Sequence, residues 1–307
     1  MTSLAIVYEH PLWFEPLFAA LDARGVAFDK IALPGHLYDP AERKAPAPVV
    51  LNRVAMSSFL RAPEHGIFYA AGLLAYWRDA GAHVLNGADV MAIDSSKARQ
   101  LSLIAGLGLG APATRVVHRT RDLLAAAETM AFPLLVKANI GGSGAGIVRY
   151  ESRDALAASI ADGTVPTSVD NVLLVQDQVP ARGGSIMRIE TLGGRFLYAL
   201  EIETAGESFD LCPADACVAA PGRTAVLMRE AKPPPEIVAA AERIARAAGL
   251  DVGGIELMID DRDGVPRFYD INALSNFVAR PLEVLGWDPH ERLVDFLEAA
   301  IARKADA

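Results

Sequence analysis

Apolar residues recur along this chain in two rhythms, and the switch between them predicts its elements. In the first third, short apolar runs ("SLAIVY", "KIAL", "APVVLNRV", "HVLNG") alternate with helically spaced stretches, "WFEPLFAALDAR" and "IFYAAGLLAYWRDAG". Strands alternating with helices predict a mainly parallel sheet covered on both faces. Next, "AIDSSKARQLSLIAGLGLGAPAT" reads as a helix capped by Ser95 or Ser96 and stopped by glycines and Pro112. It leads into strand "TRVVH", helix "RDLLAAAETM", strand "PLLVKAN", a glycine loop, strand "GIVRY", helix "RDALAASIA" and strand "VLLVQDQV". Longer strands follow. "GSIMRIETLGGRFLYALEIET" is a hairpin on Gly193–Gly194. Helix "PEIVAAAERIARAAG", strands "GIELMID" and "RFYDIN" and a final helix "PHERLVDFLEAAIARK" complete the pattern. The expected organisation is a βαβ front domain over 1–93, a central α+β unit over 94–179 and a strand-rich unit over 180–307.

The stretch "LLVKANIGGSGAGIVRY" raises the first chemical question, because Gly141, Gly142, Gly144 and Gly146 crowd one loop. A P-loop needs Lys directly after its last glycine, and Ile147 stands there instead. A dinucleotide fingerprint opens a helix, whereas here strand-forming Ile147–Val148 follows. The loop therefore joins strand to strand, with Lys137 inside the first. It reads either as a flap able to close over a triphosphate or as an ordinary surface hairpin, where glycines are common turn residues.

A second constellation lies in "GGIELMIDDRDGVPRFYDINALSNF". Alternation puts Glu256 on one strand face, and Asp270 with Asn272 on one face of the next strand. These three oxygen donors suit a hard cation that completes its shell with phosphate oxygens. A solvated hairpin face is the plainer reading. The apolar neighbours Ile255, Leu257, Phe268 and Ile271 argue against it, since half-buried carboxylates need partners.

Composition narrows the function. Net charge is −9 and the sequence pI is about 5.2, which argues against nucleic acid as a partner. Apolar residues make up 52% and mean hydropathy is +0.24, yet no apolar run reaches the ~20 residues that span a bilayer. The N-terminus has no basic segment before its short apolar run, so a cytoplasmic protein without a signal peptide is expected. Cys212 and Cys217 have neither C-x-x-C spacing nor a nearby His, and read as reduced thiols.

Lysine-bearing helix start "DSSKARQL", "FPLLVKANIGGSGAGI", hinge and strand "VLLVQDQVPARGGSIMRI", then "GIELM" with "YDINA", stand in a fixed order. In that order they resemble the ATP-grasp superfamily, and within it the glutathione synthase and RimK-type carboxylate–amine ligases. The resemblance covers about Asp94 to Asn272. It implies an ATP-grasp fold preceded by a pre-ATP-grasp βαβ domain. It also implies an ADP-forming ligase that joins a small-molecule or peptide carboxylate to an amine through an acyl phosphate, with ATP and one or two Mg²⁺ (or Mn²⁺). Homo-oligomers are common among such relatives.

By the same resemblance, Lys97 and Lys137 hold the α- and β-phosphates, and the loop Gly141, Gly142, Ser143, Gly144 and Gly146 caps the β- and γ-phosphates. Gln176, Asp177, Gln178 and Val179 face adenine, Arg188 meets the γ-phosphate and reacting carboxylate, and Glu256, Asp270 and Asn272 bind metal. Substrate contacts are expected from Glu9 and His10 in "YEHPLW" at the end of the first strand, from Arg53, and from Arg280 as a bidentate carboxylate partner. The chain departs from the family pattern in three places. Ile186 stands where relatives carry an acidic residue, "NALSNF" replaces N-A-S-P-G, and "ESFDLCPADAC" brings Asp210, Cys212, Asp215 and Cys217 to a loop that is usually basic. That loop predicts an unusual acceptor pocket lined by Cys212 or Cys217. A kinase on the same fold, or a non-catalytic nucleotide-binding module, are the rival readings.

Overall fold

The computed structural model describes residues 2–61, 64–142, 144, 146–203 and 227–306. Ser143, Asp210, Cys212, Asp215 and Cys217 lie outside the described residues, and so do the expectations placed on them.

Three sheets form the body. The first is parallel, in the order β2-β1-β3-β4, from β1 (Leu4–Tyr8), β2 (Phe28–Ala32), β3 (Val49–Arg53) and β4 (His83–Leu85). β1 and β3 are buried almost throughout, as strands covered on both faces must be. Helix Gly66–Asp79 packs on one face, while Glu15–Ala23 and the last helix Pro289–Ala305 pack on the other. The strand order changes direction between β1 and β3, where Tyr8 sits opposite Arg53. Ligands of open α/β sheets bind in the crevice at such a switch point. Glu9, His10 and Arg53 are placed there by register alone.

The middle sheet, β5-β8-β6-β7, joins β5 (Thr114–Val117), β6 (Leu134–Ala138), β7 (Ile147–Tyr150) and β8 (Leu173–Asp177). β6 and β7 are antiparallel, so the glycine loop does connect strand to strand. The third sheet, β11-β10-β9-β12-β13, contains β9 (Ser185–Leu192), β10 (Arg195–Glu203), β11 (Met228–Ala231), β12 (Val252–Ile259) and β13 (Pro266–Asn272). The hairpin on Gly193–Gly194 forms as expected, with both glycines at positive φ. Helix Pro235–Ala247 covers this sheet with Ile237, Ala240, Ala241, Ile244 and Ala245, one helical stripe.

Among the described residues, the sequence pattern does not show helix Ala88–Asp94, which directly precedes the capped helix Lys97–Gly106, edge strand β11 or the short helix Pro281–Val284. Of the two candidate caps, Ser96 is the N-cap and accepts from Arg99 N.

Asn86 ties the first sheet to the third. Its side-chain amide donates to Val252 O at 2.6 Å and Ala273 O at 2.7 Å, while its oxygen accepts from Asp251 N at 2.9 Å. It is fully buried and adopts φ 48°, a left-handed conformation that Asn tolerates better than most residues. Removing the amide strands several buried backbone groups, each worth about 1–3 kcal/mol. We therefore expect Asn86→Ala to lower the free energy of urea unfolding by roughly 3 kcal/mol. An unchanged midpoint and slope would contradict this tie between the sheets.

Candidate functional site

The candidate site lies where the three sheets meet, and its frame is two rows of residues across β9, β12 and β13. Arg188, Glu256 and Asp270 pair laterally in one row; Glu190, Gly254 and Asn272 pair in the next. Residues two apart on a strand share a face, so the six positions form one grid. Arg188 donates from Nε to Glu190 Oε1 at 2.6 Å and from Nη1 to Glu256 Oε1 at 2.8 Å. Asn272 Nδ2 reaches Glu256 Oε1 at 3.4 Å. The predicted donors Glu256, Asp270 and Asn272 therefore do converge.

Lys97 is brought to this grid by its own helix. Gln100 clamps the backbone of Ile271, donating to its carbonyl at 2.9 Å and accepting from its N–H at 3.0 Å. That docks helix Lys97–Gly106 along β13 and sets Lys97 Nζ 2.6 Å from Asp270 Oδ1. Asn139, just past β6, caps the same helix through Ala98 N at 2.9 Å. The strand carrying Lys137 is thereby joined to the helix carrying Lys97. Lys137 points over the Tyr269 ring, 5.7 Å from its centroid.

Burial and proximity shift these groups in opposite directions. Burial, with Lys97 nearby, pulls the Lys137 ammonium down to about 8. Burial also pulls on Lys97, but Asp270, Glu256 and Asp94 outweigh it and raise its pKa. Glu256 is raised, first by burial and then by Asp270, against the pull of Arg188. Asp94, at the C-terminal end of the helix that precedes Lys97, is pushed up to about 7 by burial and by Asp270. Burial lowers Arg53 to about 10, with Glu190 opposing.

The glycine loop touches the first sheet's side of the site. A Cβ on Gly142 would stand 2.6 Å from Ser57 Cβ, in the turn Met56–Leu60 after β3. Gly144 and Gly146 take φ of 73° each. Around the switch point, His10 Nδ1, Ser58 Oγ, Arg53 Nε and Nη1 and Asn276 Oδ1 are buried without hydrogen-bond partners. Arg53 Nη2 donates to Ser275 O. Glu9 is held by Arg61, which lies over the Trp13 ring. Trp13 in turn stacks on His10 at 4.8 Å.

The hinge divides by role. Gln176 donates to Thr114 Oγ1 at 2.9 Å and Asp177 grips Arg262 at 2.7 Å, so both side chains are taken by protein partners. Gln178 Oε1 is buried and has no hydrogen-bond partner. Val179 follows it, half-buried. Among the described residues Arg280 makes no recorded contact with this cluster: its side chain is 67% exposed and pairs with Glu283 at 3.0 Å. Arg280 itself adopts φ 49° at the start of helix Pro281–Val284, a turn the sequence pattern did not show. Asp94, Asn139, Glu190 and Gly254 escaped the sequence reading. Only "RIE", with its i, i+2 alternation, carried a signal.

As a metal site the grid supplies two carboxylates and an amide oxygen. Among the described residues no group of three His, Cys, Asp or Glu side chains gathers at ligand spacing. Such a set fits a hard cation that shares its shell with phosphate oxygens, rather than a closed protein cage.

Two antiparallel sheets that face each other across a lysine pair and a carboxylate hairpin define the ATP-grasp architecture. Residues 94–278 match the RimK-like ATP-grasp domain, and the chain belongs to that family. A probable alpha-L-glutamate ligase of Aeromonas salmonicida is 26% identical over 238 residues, covering 77% of this chain and 75% of that protein. The ATP-grasp ligase PsnB, complexed with a minimal precursor, superposes with a TM-score of 0.70 at 19% identity, over 97% of this chain and 99% of PsnB. D-alanine–D-alanine ligase from Bacillus anthracis, complexed with ATP, also gives 0.70, at 15% identity over 100% and 99% of the two chains. The fold expected from the sequence is therefore the fold observed.

Lys137 and Lys97 differ in a measurable way. A buried base loses its proton more easily, while a lysine held by carboxylates keeps it. Competitive acylation followed by mass spectrometry should show Lys137 labelling rise with a midpoint near pH 8. Lys97 should stay protected to higher pH. A Lys137 midpoint at the ordinary lysine value of about 10.4 would contradict the buried, under-compensated site.

Proposed function

We propose that the protein is an ADP-forming carboxylate–amine ligase that acts on amino-acid or peptide substrates. The observation that carries this reading is the convergence of two lysines, Arg188 and the Glu256–Asp270–Asn272 set on one face beside a glycine loop. In this reading Lys97 and Lys137 take the α- and β-phosphates of ATP. The amides of Gly141 to Gly146 cover the β- and γ-phosphates, and Gln178 meets adenine beside Val179. Glu256, Asp270 and Asn272 would hold Mg²⁺, or Mn²⁺ as a substitute, which would supply charge neutralisation for the phosphates.

A substrate carboxylate oxygen then attacks the γ-phosphorus in line, and positioning and charge stabilisation supply most of the rate. Arg188 stabilises charge on the transferring group and the carboxyl oxygens. The seating of Gly142 against Ser57 keeps water from the acyl phosphate. An amine attacks the acyl carbon and phosphate leaves, so one amide forms for each ATP converted to ADP.

The unpartnered donors of Arg53 fit a substrate carboxylate at the switch point, with His10 and Glu9 at the rim. The name of the Aeromonas salmonicida relative supports an amino acid as one partner. The reading keeps the expected units 1–93, 94–179 and 180–307, although helix Ala88–Asp94 runs across the first boundary and helix Pro289–Ala305 packs back on the first sheet, and it puts substrate between the first unit and the rest. We place the reaction in the cytoplasm, where ATP is supplied. Among the described residues no helix is long and apolar enough to cross a membrane.

Hydroxylamine tests this reading by intercepting the acyl phosphate. With Mg-ATP and pooled amino acids as carboxylates, hydroxamate and ADP should appear together in equal amounts. Arg188→Ala should lower turnover about a hundredfold with a smaller change in the KM for ATP. ADP without hydroxamate would contradict the ligase reading and point to a kinase or idle hydrolysis.

A further inference from the structure

Arg188 is held more tightly than a role in charge neutralisation alone requires. Its guanidinium does not project straight from β9 but lies flat over the backbone of β12. A Cβ built on Gly254 would stand 2.5 Å from Arg188 Nη2, 2.7 Å from Cζ and 2.7 Å from Nε. In the six-position grid Gly254 is thus the one vacant square, and the guanidinium fills it. φ at Gly254 does not demand glycine; the close approach does. The guanidinium is fixed along two edges, by Glu190 on Nε and by Glu256 on Nη1.

The two carboxylates differ. Glu256 belongs to the proposed metal set, so its bond to Arg188 is shared with another duty. Glu190 lies outside that set and is fully buried, with Arg188 on one oxygen and Oε2 unpartnered. Arg53, also buried, feels Glu190 as its attractive charge from the first sheet. One fully buried carboxylate therefore stands between two arginines, sharing Arg188 with Glu256, a costly arrangement unless the charges are paired and hydrogen-bonded.

We propose that Glu190 and Gly254 are positioning residues that form a seat for the Arg188 guanidinium, Glu190 anchoring Nε and Gly254 leaving the plane open. The seat aims Arg188 at the reacting group before substrate arrives and would keep that aim if Glu256 were shared with a metal ion. This inference rests on the ligase reading for the identity of the reacting group, but not for the existence of the seat.

A seat for guanidinium can be tested by emptying it. In Arg188→Ala, free guanidinium at millimolar concentration should bind, seen as a rise in melting temperature absent from the wild type. It should also restore part of the lost hydroxamate formation. In the double variant Arg188→Ala with Glu190→Gln, both effects should be lost. Gly254→Ala keeps every charge and disturbs only the plane. It should lower kcat about a hundredfold, as a misplacement on the order of 1 Å can, with the KM for Mg-ATP and the melting temperature nearly unchanged. A merely structural role would lower the melting temperature and leave kcat and rescue alone.

Equal guanidinium binding with and without Glu190, or a Gly254→Ala enzyme with wild-type kcat, would overturn the proposal. If the wild type makes no hydroxamate from any carboxylate, the ligase reading fails instead. Guanidinium binding to the two Arg188 variants then still decides the seat.

Discussion

Charge compensation inside the junction of the three sheets is the constraint on which the rest depends. Lys97, Lys137, Arg188 and Arg53 supply cations there, and Asp94, Glu190, Glu256 and Asp270 supply carboxylates. Ions taken out of water cost several kcal/mol each unless paired. The pairing is uneven. Lys97 has Asp270 and Arg188 has two carboxylates, whereas Lys137 lies over the face of Tyr269, and its attraction to Asp270 and Glu256 does not offset burial, which depresses its pKa. An under-compensated cation beside a cluster that repels its own carboxylates is a site awaiting both an anion and a cation. A triphosphate with its metal ion answers both demands.

Main-chain docking sets this geometry as much as charge does. Gln100 reads the edge of β13 through both its amide atoms, and Asn139 caps the helix that carries Lys97. Asn86 then fixes the first sheet against β12 and the segment after β13. Because these contacts are to backbone, each aligns an element and not just a side chain. Ser57 meeting Gly142 extends the same scheme to the glycine loop, so the turn after β3 and the loop after β6 touch directly.

The parts of this arrangement that follow local rules were legible in the sequence. The parallel front sheet showed in its unbroken apolar runs, the Glu256–Asp270–Asn272 set in its alternation, and the two lysines in the order of their motifs. Helix Ala88–Asp94 is seven residues long with little periodicity, and edge strand β11 is only four residues, two of them charged, so neither stood out. Arg280 sits where the chain turns at a positive φ, and its side chain lies exposed beside Glu283, a placement that spacing alone does not show. Gly254 matters through Arg188 and Glu190 on the neighbouring strand, whereas Glu190 meets the same arginine two residues along its own strand. Register between strands, together with alternation along one, creates their roles.

Transfer of a carboxylate oxygen to phosphate is the event that the whole site is argued to serve. The most direct measurement is turnover of a carboxylate substrate labelled with oxygen-18, followed by mass analysis of the released phosphate. The account predicts phosphate carrying one labelled oxygen for each amide bond formed. Unlabelled phosphate accompanying amide formation would contradict it, because the carboxylate would then not have attacked the γ-phosphorus.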